Sequence, residues 1–172
     1  MSSKTLHTIG YEGSTIDRFL ATLERVGINL VIDVRDFPLS RKPGFSKSAL
    51  SNWLASRDIT YLHLKGLGDP KLGRIAARER RYSDFQRIFA AHLRSDVAKS
   101  DMLRGVVAAT EKKACLLCFE RDHSLCHRCM VAEEMSRRGG FKLVHLGIAP
   151  APAVKSKYET QNAYDRSFAH LG

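Results

Sequence analysis

The chain has 172 residues, with 28 Lys and Arg against 18 Asp and Glu, and a formal charge of +10. This length suits one domain, and 44% apolar with 27% charged residues can build a packed core, which excludes wholesale disorder. No apolar run approaches the roughly 18 residues that a bilayer span needs, and the opening "MSSKTLHTIG" lacks the apolar core of a secretory signal.

A cytoplasmic location and no membrane partner are therefore expected. Four Cys are too few for a disulfide scaffold in a chain this long and read as reduced thiols, packing residues or metal ligands. A surplus of positive charge attracts polyanions, so a nucleotide or nucleic acid is the expected partner.

Taken in order, residues 6 to 11 ("LHTIGY") read as a first strand. Ser14 is placed as the N-cap of a helix over 15 to 26, with Ile16, Phe19, Leu20 and Leu23 on one face and Gly27 as its stop. "INLVIDVR" (28 to 35) is rich in branched residues, as expected of a strand buried on both faces. After Pro38 and Pro43-Gly44, Ser46 caps a second helix presenting Ala49, Leu50, Trp53 and Leu54 inward, and "ITYLHL" (59 to 64) forms a third strand. Gly66, Gly68, Pro70 and Gly73, with five Arg among residues 74 to 87, suggest a mobile basic insertion near 66–87, ahead of a helix using Tyr82, Phe85, Phe89 and Leu93. A helix around 101 to 112, the strand "ACLLCFE", a helix beginning near Cys126 and the strand "FKLVHLG" (141 to 147) complete the pattern. The expectation is an α/β fold: a three-layer, Rossmann-like domain over 1–148, with a mostly parallel sheet of about five strands, helices on both faces, and a C-terminal arm over 149–172.

In such a sheet the ligand crevice lies outside the carboxyl ends of the strands. Those ends carry Gly10, Tyr11 and Glu12; Asp33 and Arg35; His63 and Gly68; Cys118 and Glu120; and His145. Asp33 and Arg35 share one strand face, and read either as joint ligand holders or as a strand-end ion pair. Glu12 is a candidate general base or ribose ligand, and its bland alternative is a solvated loop charge. His63 reads first as a satisfied core residue and second as a ligand.

Cys126 falls where a loop becomes a helix, with His127 and Arg128 in the first turn, so unpaired N–H groups converge there and favour an anion or a lowered thiol pKa. Packing of a small buried Cys is the plain alternative. Cys115, Cys118, Cys126 and Cys129 also have the spacing of a zinc site, but positions i and i+3 of a strand face opposite sides, which counts against Cys115 and Cys118 as joint ligands. Cys126 and Cys129 are spaced for disulfide exchange at a helix start.

The segments "TIGYEG", "IDVRDFPLSRKPGFSKSALSNWL", "YLHLKGLGDP" and "LLCFERDHSLCHR" together resemble the domain of unknown function 488 family, over residues 7 to about 148. The resemblance implies an intracellular α/β protein. The pocket it implies draws on Gly10 and Tyr11; Asp33, Arg35, Pro38, Ser40, Gly44 and Phe45; Tyr61, Leu67 and Gly68; and Cys118, Glu120, Cys126, His127 and Arg128. Cys115 and Cys129 lie outside the family pattern.

The leading functional expectation is an enzyme that binds a nucleotide or nucleic-acid component and cleaves or hydrolyses it. Glu12, Asp33 or Glu120 would handle protons, Arg35 and Arg128 would hold phosphate, Tyr11 and Phe45 would stack a base, and no cofactor or metal is required. The alternatives are a non-catalytic nucleic-acid-binding module that uses the Arg74 to Arg87 segment, and a thiol-dependent enzyme or zinc-binding protein built on the Cys cluster.

Overall fold

The computed structural model describes residues 4–148. Their strands are β1 (Thr5–Gly10), β2 (Leu30–Asp33), β3 (Thr60–His63), β4 (Ala114–Cys118) and β5 (Lys142–Leu146). All pairings are parallel, in the spatial order β3-β2-β4-β1-β5. Among the described residues six α-helices cover the sheet: α1 (Ile16–Val26), α2 (Lys47–Ala55), α3 (Lys71–Arg78), α4 (Tyr82–His92), α5 (Asp96–Glu111) and α6 (His127–Gly139). The result is the expected three-layer α/β fold.

Apolar runs place the strands. Every residue of "LVID" in β2 and "ACLLC" in β4 is buried, as interior strands with both faces covered require. The two-residue period then sorts their side chains. Leu30, Ile32, Leu116 and Cys118 join a cluster with Phe89 of α4, Met102 of α5 and Met135 of α6, while Val31, Cys115 and Leu117 join Phe19 of α1 and Leu50 of α2 on the other face. Because Gly10 is level with Cys118, and Asp33 with Leu117, the carboxyl ends of β1, β4 and β2 open side by side.

Several local expectations are corrected. Thr15, one residue after Ser14, caps α1: its Oγ1 accepts from the Arg18 N–H at 3.4 Å. Trp53 is 42% and Tyr82 40% exposed, so neither is an inward anchor. α5 begins at Asp96 rather than near 101, because Ser95 accepts from the Ala98 N–H at 3.3 Å and caps it there. Residues 71–78 are helical rather than a mobile insertion. Pro70 precedes their first turn, where a missing N–H costs nothing, and Gly73 lets the helix pass over the Asp69 carboxylate, where a Cβ would collide with Oδ1. The arm expected over 149–172 lies outside the described residues.

Candidate active site

A cavity of about 450 Å³ opens at the carboxyl ends of β1, β2 and β4. Its wall combines Tyr11 after β1, Arg35 to Arg41 after β2, Cys118 to Glu120 after β4, Asp69, Arg74 and Arg78 around α3, and His127 at the start of α6. Gly10 makes the close approach that the site needs, since a Cβ there would overlap the Glu120 carbonyl. At Gly68 a Cβ would overlap the Asp36 backbone.

Asp33 and Arg35 form the buried frame of one wall. Asp33 accepts from Arg35 Nε at 2.8 Å, from Nη2 at 2.6 Å and from the Tyr61 hydroxyl at 2.6 Å, and is fully buried. Arg35 Nη1 donates to the Tyr11 hydroxyl at 3.0 Å and to the Phe45 carbonyl at 2.9 Å. Four of the five guanidinium protons are thereby engaged. Burial opposes the Arg35 charge, but Asp33 and the Tyr11 hydroxyl outweigh it and hold the guanidinium protonated. Burial and the Asp33 charge push the Tyr61 hydroxyl up. His63 Nε2 donates to the Arg35 carbonyl at 2.8 Å. Asp33 is therefore enclosed by the frame, and His63 commits one ring nitrogen to the backbone and does not line the cavity.

Opposite this frame, Sγ of Cys118 and of Cys126 lie 3.1 and 3.0 Å from one oxygen, Oε2 of Glu120. His127 Nδ1 is 3.8 Å from the first sulfur and 4.0 Å from the second, and Nε2 donates to the Val34 carbonyl at 2.8 Å. Cys126 is the N-cap of α6, so its sulfur also meets the positive end of the helix.

Burial disfavours the Cys126 thiolate, but the Cys118 thiol and the His127 and Arg128 charges prevail and lower its pKa well below the ordinary value. The hydrogen bond to Cys126, together with burial, drives Cys118 up. Burial and the Cys126 charge raise Glu120 to about 7. Burial opposes charge on His127 too, but the Cys126 sulfur, the Val34 carbonyl and Glu120 raise it to about 9. The arrangement is a thiolate-imidazolium pair beside a carboxyl group that carries a proton near neutrality.

The sulfurs of Cys118 and Cys126 and a nitrogen of His127 lie within 4.8 Å of one another, a soft donor set of the kind that holds zinc. The ring orientation fits an ion pair better. Cys118 Sγ is 3.8 Å from Nδ1 and 4.0 Å from Nε2, nearly equidistant, which brings it closer to Nε2 than a sulfur sharing an ion on the Nδ1 lone pair would lie. The four-thiol zinc set is overturned, because Cys115 packs on the opposite face of the sheet and Cys129 groups with His123 and His145.

Other expected roles are also displaced. Arg128 is 1% exposed and donates to the Glu120 and Arg121 carbonyls and, at 3.4 Å, to Thr8 Oγ1. It fastens the β4–α6 loop and is no phosphate clamp. Phe45 is buried, with its ring 4.2 Å from that of Tyr11 and 7° from parallel, so the two stack on each other and leave no slot for a base. Glu12 accepts from the Arg121 N–H at 2.9 Å and lines a neighbouring groove that it shares with Glu120. Ser40 lines the cavity, and its Oγ accepts from the Lys42 N–H at 3.2 Å.

The basic segment neutralises much of itself: Arg74 pairs with Asp36, Arg81 with Glu79 and Asp84, and Arg87 with Asp84. Arg41 and Arg78 line the cavity with no ion pair among the described residues. Asp69 is a wall residue that the sequence reading passed over. Its Oδ1 is buried without a partner, and burial, against the His127 and Arg74 charges, raises it to about 6.

The family described as Domain of unknown function DUF488 matches residues 15–135. The chain belongs to that family. Its DUF488 match spans Arg35 in the frame and Cys118, Glu120, Cys126 and His127 in the sulfur cluster, while Gly10 and Tyr11 lie before it. No curated protein and no solved structure matches the chain. No helix among the described residues is long and apolar enough to cross a membrane.

Proposed function

We propose that this DUF488 protein is a thiol-dependent hydrolase of phosphate esters, with nucleotides as its substrate class. The observation that carries this reading is the meeting of Cys126, Cys118, Glu120 and His127 beside a cavity rimmed by Arg41, Arg74 and Arg78. Arg41 and Arg78 are the guanidinium groups best placed to meet phosphate. Phe37 and Phe119, 58% and 44% exposed, line the same cavity and offer faces for a base. A cavity of about 450 Å³ favours one nucleotide over a polymer. Thiols of this kind stay reduced in the cytoplasm, the compartment that the reading requires.

The chemistry follows from the cluster. The Cys126 sulfur forms a bond to phosphorus as the ester P–O bond breaks, and the leaving oxygen takes the Glu120 carboxyl proton. Water then cleaves the S–P bond, giving one proton to Glu120 and returning the sulfur as thiolate. His127 keeps that sulfur ionised in both steps.

Two measurements test the reading. Released phosphate from nucleoside monophosphates should fall by at least about 100-fold in Cys126→Ser, with the melting temperature retained, and unchanged release would reject the mechanism. Alkylation should find one thiol, Cys126, reacting below pH 7, whereas equal, slow reaction of all four would remove the thiolate. Alkylation at Cys126 without phosphate release from any nucleotide would reject the substrate class.

A further inference from the structure

A second cluster lies apart from the cavity, where edge strand β5 meets the start of α6. His123 belongs to the short 3-10 turn His123–Leu125, Cys129 to the first turn of α6, and His145 to β5. One nitrogen or sulfur from each comes within 4.8 Å of the others. The two imidazole rings stack 3.6 Å apart and 4° from parallel, so for both to hold one ion, which lies in the plane of each ring it binds, the His123 ring must turn out of the stack.

Packing alone does not account for this group. His123 Nδ1 is buried with no hydrogen-bond partner, and a buried polar atom left unpaired costs about 1–3 kcal/mol. His145 Nδ1, by contrast, lies 2.8 Å from Thr8 Oγ1. With Nδ1–H donating to that hydroxyl, Nε2 keeps its lone pair, the arrangement by which second-shell groups orient a metal-bound imidazole. Cys129 is partly exposed, and its Sγ lies 3.6 Å from Glu133 Oε1, one helical turn on. Glu133 thus stands beside the three as a fourth donor.

We infer that His123, Cys129 and His145, with Glu133 or water as fourth ligand, form a binding site for a borderline-soft divalent cation of the zinc class. Two imidazoles and a thiolate are the donors that such an ion selects, and four are the number it takes. The anionic sulfur and carboxylate offset the Arg128 charge, which acts on both His145 and Cys129. Binding gives His123 the partner it lacks. The site is separate from Cys126, Cys118 and His127, so it stands or falls independently of the proposed hydrolysis.

Titration of the full chain with Co²⁺ tests the inference. The expected result is stoichiometric binding with a thiolate-to-cobalt charge-transfer band and the strong visible bands of a tetrahedral ion, both displaced by Zn²⁺. Cys129→Ser and His123→Gln should each abolish the charge-transfer band or weaken binding by at least about tenfold, while Cys126→Ser leaves it intact. Cys129 is partly exposed, and circular dichroism checks that each variant is folded. A band that never forms, or one that survives Cys129→Ser and vanishes in Cys126→Ser, overturns the inference, the second outcome moving the ion to the other cluster.

Discussion

Asp33 shows how a side chain at a strand end acquires its role from partners far along the chain. Its carboxylate is enclosed by Arg35 and by Tyr61, 28 residues away. Asp33→Asn should leave the Arg35 charge buried without its counterion and lower stability by about 3–5 kcal/mol. Urea unfolding checks this, and a loss below about 1 kcal/mol would mean that the pair is not the frame described. Asp69 makes the opposite prediction, about pH. Its carboxyl is raised to about 6 from an ordinary 3.8, so the folded state binds the extra proton. Its contribution to stability is full below about pH 4 and is lost as the pH rises through 6. Asp69→Asn should flatten the fall in stability across that window in melts at stepped pH. Position alone brought Cys126, Glu120 and His127 forward as candidates, because a strand end and a helix start are where ligands gather, and the fold does set the three side chains together. Asp69 was not legible, since its burial depends on α3 crossing over it at Gly73, a contact that no local pattern encodes.

At the level of elements, helix ends decide most of the differences between sequence and structure. Ser14 and Thr15 are both acceptable caps, and the choice falls on Thr15 because Ser14 is buried, with its hydroxyl donating to the Thr15 carbonyl. Thr15→Ala should cost about 0.5–1 kcal/mol, measured by thermal melts, and no change would return the cap to Ser14. The C-terminus of α1 was readable outright: Gly27 adopts φ of +75° and its N–H reaches the Glu24 carbonyl, the left-handed stop that favours glycine. The apolar cores of β2 and β4 were equally plain. Residues 71–78 misled because Gly and Arg there resemble a loop, whereas Gly73 serves a close packing contact and Arg74 pairs with Asp36.

For the whole molecule, the parallel α/β class followed from alternating apolar runs and amphipathic stretches, but the sequence of strands across the sheet did not. Periodicity reports which face a residue occupies and says nothing about which strand lies beside it. The order matters because β1 pairs with β4 and β5, joining His7 to Cys115 and to Val144. A chain emerging from the ribosome therefore holds its first strand without either neighbour until more than a hundred residues have been made. Contacts of such long span slow folding and leave an apolar segment open to aggregation. A fragment ending at Lys112 should show no cooperative unfolding transition by circular dichroism, and a cooperative melt would contradict this. During synthesis the backbone donors and acceptors of β1 therefore wait unpaired on both edges until β4 and β5 have been made.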